Sequence, residues 1–203
     1  YICKKADAII TVSSEGREEV IGNFGVDPKK VYFVPTGVDF NIFKTNKVKK
    51  DIDILYVGRF AAKKNILTLL KVVCILKKKL PKIKVFLIGG EKSDADYYKI
   101  LNFIKGFSLV DNVFVYSPLR QSELVAKYNR AKLFVLLSYE EGMPKVLLEA
   151  LACSVPVITG NTSGMKDIIS NGKNGFFVDI NNLEDIYVKC FNALSGKYKF
   201  YFS

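Results

Sequence analysis

Four short apolar runs of this sequence lead into residues that could serve chemistry, the last of them Pro156 to Thr159, which ends at Gly160 with Ser163-Gly164 after it. Ile52 to Val57 leads into Gly58-Arg59-Phe60-Ala61-Ala62-Lys63-Lys64-Asn65. A glycine there lets a ligand come close, and Arg59 and Lys64 put two cations beside a helix start. That combination suits an anion, best a phosphate or diphosphate. Lys84 to Ile88 leads into Gly89-Gly90, which permits a tight turn or close ligand approach. Leu133 to Leu136 leads into a segment holding Glu141, Gly142, Met143, Pro144, Lys145, Val146 and Glu149. Pro144 suits the first position of a helix, whose free N–H groups form a second anion cradle. Glu141 lies in the loop before that helix and Glu149 within it, so both carboxylates can face one cleft. Glu149 is flanked by Leu147, Leu148, Ala150, Leu151 and Ala152. A carboxylate in such a run needs a dedicated partner.

Other chemistries are excluded or unsupported. The chain has no histidine, so Ser-His-Asp triads, Cys-His dyads and His metal sites are ruled out. Any acid–base work falls to carboxylates, Lys, Tyr or Cys. Cys3, Cys74, Cys153 and Cys190 form no C-x-x-C pair and read as free thiols of a reducing compartment, three of them in apolar contexts. G-x-G-x-x-G after a strand and G-x-x-x-x-G-K-[ST] are both missing, which removes the usual support for dinucleotide or P-loop binding. Asp51-x-Asp53 and Asp94-x-Asp96 lie at expected element starts and not in Gly-rich metal loops.

The elements that must position these residues alternate. Strands are expected at Ala8 to Val12, Val31 to Val34, Ile52 to Val57, Lys84 to Ile88, Val113 to Tyr116, Leu133 to Leu136 and Pro156 to Thr159. They are apolar without strict alternation, as in strands buried on both faces of a parallel sheet. Helices are expected at Glu15 to Asn23, Asn65 to Lys79, Ala95 to Lys105, Gln121 to Arg130, Lys145 to Cys153 and Leu183 to Leu194, with a short one opened by Ser163-Gly164. The result is an α/β fold, a doubly wound parallel sheet whose ligands bind beyond the carboxyl ends of the strands. Asn171 to Gly175 reads as a turn leading to the apolar Phe176-Phe177-Val178. Residues 36–50, turn-rich and then lysine-rich, read as a linker to a main domain over 51–196.

The 203 residues are 49% hydrophobic and 25% charged, a globular composition long enough to bury a core. No apolar run reaches the length of a membrane span, and no secretory signal follows Tyr1. The net charge is +11, nearly all from lysine, and such a surface attracts nucleotide phosphate, nucleic acid or acidic lipid. The lysines are scattered over many expected helices, which argues against nucleic acid as a partner.

Taken in order, these pieces resemble a known family. Glu141-Gly142 followed by Glu149-Ala150-Leu151-Ala152, a Glu-x7-Glu pattern, with Val155-Pro156-Val157-Ile158 after it, is similar to the signature of retaining glycosyltransferases of the GT-B fold, family 4. Ala6-Asp7-Ala8, Val34-Pro35-Thr36-Gly37-Val38-Asp39, Val57-Gly58-Arg59-Phe60, Ile88-Gly89-Gly90 and the stretch from Gly164 to Gly175 follow the family's order. The resemblance implies a Rossmann-like, donor-binding C-terminal half over 51–196. Residues 1–35 resemble the tail of an N-terminal acceptor-side half, and 197–203 a C-terminal end. The chain is expected to be a fragment, inactive on its own.

The resemblance also implies roles. Arg59 and Lys64 match the cations that grip the donor diphosphate. Glu141 matches the glutamate beside the donor sugar, and Glu149 the one that accepts from the nucleotide ribose. Gly142, Met143 and Lys145, with Val146, fall where loop amides meet the donor. Gly58 is expected among the donor-binding residues, and Leu119 falls where the base is held. Lys63, Pro144 and Thr36 depart from the residues common in the family. The implied reaction transfers a sugar from a nucleotide-diphospho-sugar to a glycan or lipid-linked acceptor, with retention and without a metal or other cofactor. The expected location is cytoplasmic, with peripheral contact to an anionic membrane. Three other readings stand beside it: a nucleotide-sugar-binding module that transfers nothing, a basic nucleic-acid-binding α/β domain, and a sugar-nucleotide epimerase of the same two-half architecture.

Overall fold

The apolar runs form a parallel sheet, and helices cover it. A computed structural model describes residues 2–202. Six strands, β3 (Ile52–Val57), β4 (Val85–Ile88), β5 (Val113–Tyr116), β6 (Ala131–Leu136), β7 (Val157–Gly160) and β8 (Gly175–Val178), lie in the order β5-β4-β3-β6-β7-β8. Every neighbouring pair is parallel. Residues of β3, β4, β6 and β7 are buried almost throughout, which is why their sequences lack alternation. Helices α3 (Ile66–Lys79), α4 (Tyr97–Gly106), α5 (Gln121–Arg130), α6 (Lys145–Ala152) and α8 (Leu183–Leu194) complete the layers. Helix α3 buries Ile66, Leu69, Leu70, Val72, Val73 and Leu76 and ends on three exposed or half-exposed lysines. It packs against α8 and α4.

The chain runs outward from β3 through β4 to β5, then returns to β6 on the other side of β3. That reversal opens a crevice between the carboxyl ends of β3 and β6. The loops leaving those strands meet there, where the Tyr139 amide donates to the Lys63 carbonyl at 2.9 Å.

A smaller unit precedes the sheet. After α1 (Ile2–Lys5), β1 (Ile9–Thr11) and β2 (Val31–Phe33) pair in parallel, with α2 (Ser14–Phe24) between them. Ser13 caps α2 by accepting from the Gly16 amide, and left-handed Gly25 ends it. The unit is fastened to α7 (Ser163–Lys166) and the residue after it, since the Ser14 amide donates to Asp167 at 2.8 Å and Lys166 pairs with Glu15 at 3.4 Å.

Two local expectations are corrected. Phe176-Phe177-Val178 is no mere apolar sequel to a turn: with Gly175 it forms edge strand β8, where a Cβ on Gly175 would press on the Val157 carbonyl. Asn65 is not helical but a left-handed cap after a 3₁₀ turn over Ala62–Lys64. Residues 36–50, read as a linker, lie against the main sheet unit. Phe43 is in the core, the Asn46 amide donates to Asn129 at 2.6 Å, and Lys50 donates to the Ala131 carbonyl at 3.0 Å.

Candidate functional site

The β3–β6 crevice brings part of the expected set together directly. Lys64, on the 3₁₀ turn after β3, meets Glu141, on the loop after β6, with Nζ to Oε1 at 2.5 Å. Both side chains are largely buried, 18% and 12% exposed. Gly142 follows, and its carbonyl lies against Gly164 so closely that a Cβ on Gly164 would fall on it. That contact holds the 140s loop against α7. An open cleft of about 500 Å³ lies beside it, lined by Lys63, Tyr139, Glu140, Glu141, Gly142 and Asn161 among others, and by Glu15 from α2. Thr162 Oγ1, on the lining of this cleft, and Ser138 Oγ, one residue before Tyr139, are buried without a protein partner among the described residues.

Arg59 behaves differently. Its side chain is 79% exposed, with Nε 3.5 Å from Asp94 Oδ1. Asp94 is only 5% exposed, and its other oxygen accepts the Phe60 amide at 2.9 Å and the Glu91 amide at 3.1 Å. Those amide bonds, with the nearby Arg59 guanidinium, hold its carboxyl below the usual carboxylate range. Asp94 therefore ties the loop after β4 to the loop that carries Arg59. The tie is tight at Gly89, whose φ is +104 and where a Cβ would meet the Gly58 carbonyl at 2.8 Å, so a side chain there would push the two loops apart. Tyr56, fully buried, donates to the Arg59 carbonyl at 3.0 Å. Burial and the charges of Glu141 and Asp94 push its phenol up, so it remains a donor.

Glu149, on α6, has the partner that its apolar neighbours demand. Tyr128, fully buried on α5, places Oη 2.9 Å from Glu149 Oε2 and 3.1 Å from the Val146 carbonyl. Burial raises the Glu149 carboxyl above its ordinary value, against the opposing pull of the Tyr128 hydroxyl and Lys145. Burial and the Glu149 charge raise the Tyr128 phenol well above its ordinary value. At neutral pH the phenol keeps its proton to donate.

The other expected residues sit around this frame. Lys145 is exposed at the first turn of α6, and Val146 is half-buried with its carbonyl on Tyr128. Met143 points its sulfur at the chain before the sheet and accepts the Thr36 amide at 3.1 Å. Leu119 is half-buried in the loop after β5, packed on the core. Sequence reasoning missed Asp94, Tyr56 and Tyr128. Asp94 was weighed only as half of a metal pair. Tyr128 stands four residues after Leu124, on the apolar face of α5, and that spacing was its one available signal.

The fold and this arrangement define a Rossmann-like half of a GT-B architecture, and the comparisons name the family. The profile described as "Glycosyl transferases group 1" matches residues 37–196, and "Glycosyltransferase Family 4" matches residues 1–41. The chain belongs to the group 1 glycosyl transferases. It is 30% identical over 188 residues to a D-inositol 3-phosphate glycosyltransferase of Paenarthrobacter aurescens, covering 84% of this chain and 46% of that protein. It is 26% identical over 201 residues to a mannosylfructose-phosphate synthase of Agrobacterium fabrum, covering 91% and 44%. Among solved structures, HepE of Anabaena in complex with UDP and glucose superposes with a TM-score of 0.84 at 18% identity, over 97% of this chain and 56% of that one. A sucrose-phosphate synthase of Thermosynechococcus elongatus gives 0.81 at 23%, over 96% and 50%. The chain thus spans about half the length of the curated relatives it matches. Among the described residues no helix is long and apolar enough to cross a membrane.

Proposed function

We propose that this chain binds a nucleotide-diphospho-sugar at the β3–β6 crevice, and that the protein it belongs to transfers the sugar with retention of configuration to a glycan or lipid-linked acceptor. The observation that carries the reading is the Lys64–Glu141 pair, held by loops from two strands beside the start of α6. In this reading Arg59 and Lys64 take the diphosphate, where negative charge develops as the leaving group departs, so that no metal ion is needed. Lys64 moves from Glu141 to phosphate, and Glu141 is left facing the sugar. The amides opening α6 and the backbone at Gly58 and Gly142 supply further dipoles. Glu149, oriented by Tyr128, accepts from the ribose hydroxyls, and Leu119 lies toward the base.

The bond from the anomeric carbon to the diphosphate oxygen breaks with its electron pair on the nucleoside diphosphate. The acceptor hydroxyl forms the new bond on the same face and passes its proton to the departing phosphate. Residues 1–35 are assigned to the acceptor-side half, 36–50 to the join and 51–196 to the donor-binding domain. Because the acceptor is held mainly outside this chain, the chain alone binds donor without turning it over. Calorimetry with UDP, GDP and ADP and their sugars tests the reading. Binding of one nucleoside diphosphate, weakened by Arg59→Ala with the bare nucleoside unaffected, is expected. Absence of binding by every nucleotide and sugar nucleotide to the folded chain would refute it.

A further inference from the structure

The two outer strands of the main sheet differ in what lies beside them. The order β5-β4-β3-β6-β7-β8 leaves β5 and β8 outermost, and such a strand presents backbone groups to its surroundings. In a parallel ladder, alternate residues bond to the neighbouring strand. The Asn174 carbonyl, just before β8, accepts from the Val157 amide on β7, so Gly175 and Phe177 turn their backbone outward. Their groups are taken up within the chain. The Gly175 carbonyl accepts the Gly172 amide at 2.8 Å, the Phe177 amide donates to Asn171 at 3.1 Å, and the Phe177 carbonyl accepts from Lys189 at 2.9 Å. Tyr198 packs on Phe176 beside them, ring centroids 4.4 Å apart.

Strand β5 has no such cover. The Asn112 and Tyr116 carbonyls accept the Val85 and Gly89 amides on the β4 side at 2.8 and 3.0 Å, so Val113 and Val115 face outward. The Val113 amide turns back to the Leu109 carbonyl. The Val113 carbonyl and both backbone groups of Val115 have no partner among the described residues. The strand holds neither a charge nor a proline, the devices that commonly keep an open edge from pairing. Phe114, Val115 and Tyr116 are half-buried. Phe107 and Val110, on the way into the strand, are 58% and 56% exposed.

The two ends of β5 also differ in charge. Asp111 stands in the turn entering it and Arg120 in the loop leaving it, both exposed. Arg120 pairs only with Glu123 of its own helix start, at 3.2 Å. Two copies set side by side in antiparallel sense bring each Asp111 toward the other's Arg120, whereas a parallel arrangement would set like charge on like. Centred on Val115, antiparallel pairing also joins the outward groups, the two Val115 residues exchanging both N–H···O bonds. Phe114 then stands opposite Tyr116 of the second copy. Within one copy these two rings already pack on Phe86, at 5.3 and 5.1 Å, and aromatic pairs across strands are favourable.

We propose that the β5 edge is a self-association surface, on which a second copy of this chain pairs about a two-fold axis at Val115. The two sheets then join into one. Because the outward groups of β8 are bonded within their own chain, pairing stops at two copies. The two crevices lie at the carboxyl ends of strands that run in opposite directions, so they open on opposite sides of the dimer. Nothing in this pairing depends on what the crevice binds.

Sedimentation equilibrium of the 203-residue chain tests it. One strand pair with its flanking side chains is a small interface, so a reversible doubling of mass is expected with a Kd on the order of 10–100 µM. Val115→Pro removes an outward amide and spares the β4 ladder, and should weaken association about tenfold or more with the circular dichroism unchanged. Arg120→Glu should weaken it about threefold or more, and adding Asp111→Lys to that variant should restore it. Under mild oxidation Val115→Cys should cross-link into dimers beyond the level of the parent, because a bonded antiparallel pair sets its Cα atoms about 5.5 Å apart, within disulfide reach. A chain that stays monomeric to about 0.5 mM would overturn the proposal, being well above the expected Kd. So would assembly beyond two copies, parent-like association of a folded Val115→Pro variant, a charge swap that restores nothing, or a Val115→Cys variant that cross-links no more than the parent.

Discussion

Replacing Glu149 by Gln separates ligand recognition from folding, because the two should respond in opposite directions. Ribose hydroxyls donating to a carboxylate make charge-assisted bonds worth about 1.5–3 kcal/mol each, against about 1 kcal/mol for a neutral acceptor. Gln offers one acceptor oxygen and no charge. We therefore expect a loss of about 2–3 kcal/mol in nucleotide affinity, about 30- to 150-fold in Kd. Folding should not suffer. Burial holds the Glu149 carboxyl above its ordinary value, so the folded state binds its proton more tightly than the unfolded state. The carboxyl's contribution to stability is then greatest below the unfolded value of about 4.3 and declines as pH rises through the folded value. At neutral pH the parent carries the cost of a half-buried charge. Gln removes that charge while its carbonyl can still accept from Tyr128. The ligand-free variant should melt no lower than the parent at neutral pH, with any advantage shrinking toward about pH 4. Calorimetry and thermal melts at the two pH values measure both effects. Parent-like nucleotide affinity in a folded variant would refute the ribose assignment, and a lower neutral-pH melting temperature would refute the burial argument.

Three further outcomes are expected. Arg59→Ala should leave stability within about 0.5 kcal/mol, since its side chain is mostly exposed, yet weaken diphosphate binding by about 1.5–3 kcal/mol; equal losses for nucleoside and diphosphate in titrations would contradict this. Lys64→Ala leaves Glu141 largely buried without its cation and should destabilise the chain by about 1–3 kcal/mol, with Glu141→Gln restoring part of it in a double-mutant cycle of urea melts; a strictly additive cycle would show no coupling between the two. Asp94→Ala frees the Phe60 and Glu91 amides and should weaken both the fold and diphosphate binding. Because the folded Asp94 carboxyl is held low, the parent should lose this contribution as pH falls below about 3.9, and an acid titration identical in parent and variant would contradict the assignment.

Much of the frame was legible because buried parallel strands leave a local mark. Ile52 to Val57 and Val85 to Ile88 are apolar without alternation, and the Lys77 to Lys79 stop of α3 stands at the end of a helical apolar stripe. Edge strand β8 was missed because it is short, starts on Gly175 and follows a turn-rich stretch. Its pairing partner β7 lies across a crossover, so local composition could not reveal it. The linker reading of 36–50 rested on composition, which is silent on whether Phe43 finds a pocket.

The residue types by themselves determined that any chemistry here is done without histidine, and that cations follow one strand while two carboxylates follow another. They also showed that Glu149, inside an apolar run, needed a partner. Only tertiary structure decided who meets whom. The return of the chain from β5 to β6 brings Lys64 to Glu141 across 77 residues. The close approach of Gly89 to Gly58 lets Asp94 bridge two loops. Packing of α5 on α6 supplies Tyr128 to Glu149. Side-chain type and short-range spacing are properties of the chain, whereas each of these contacts joins residues 20 or more apart and exists only once the sheet order is set.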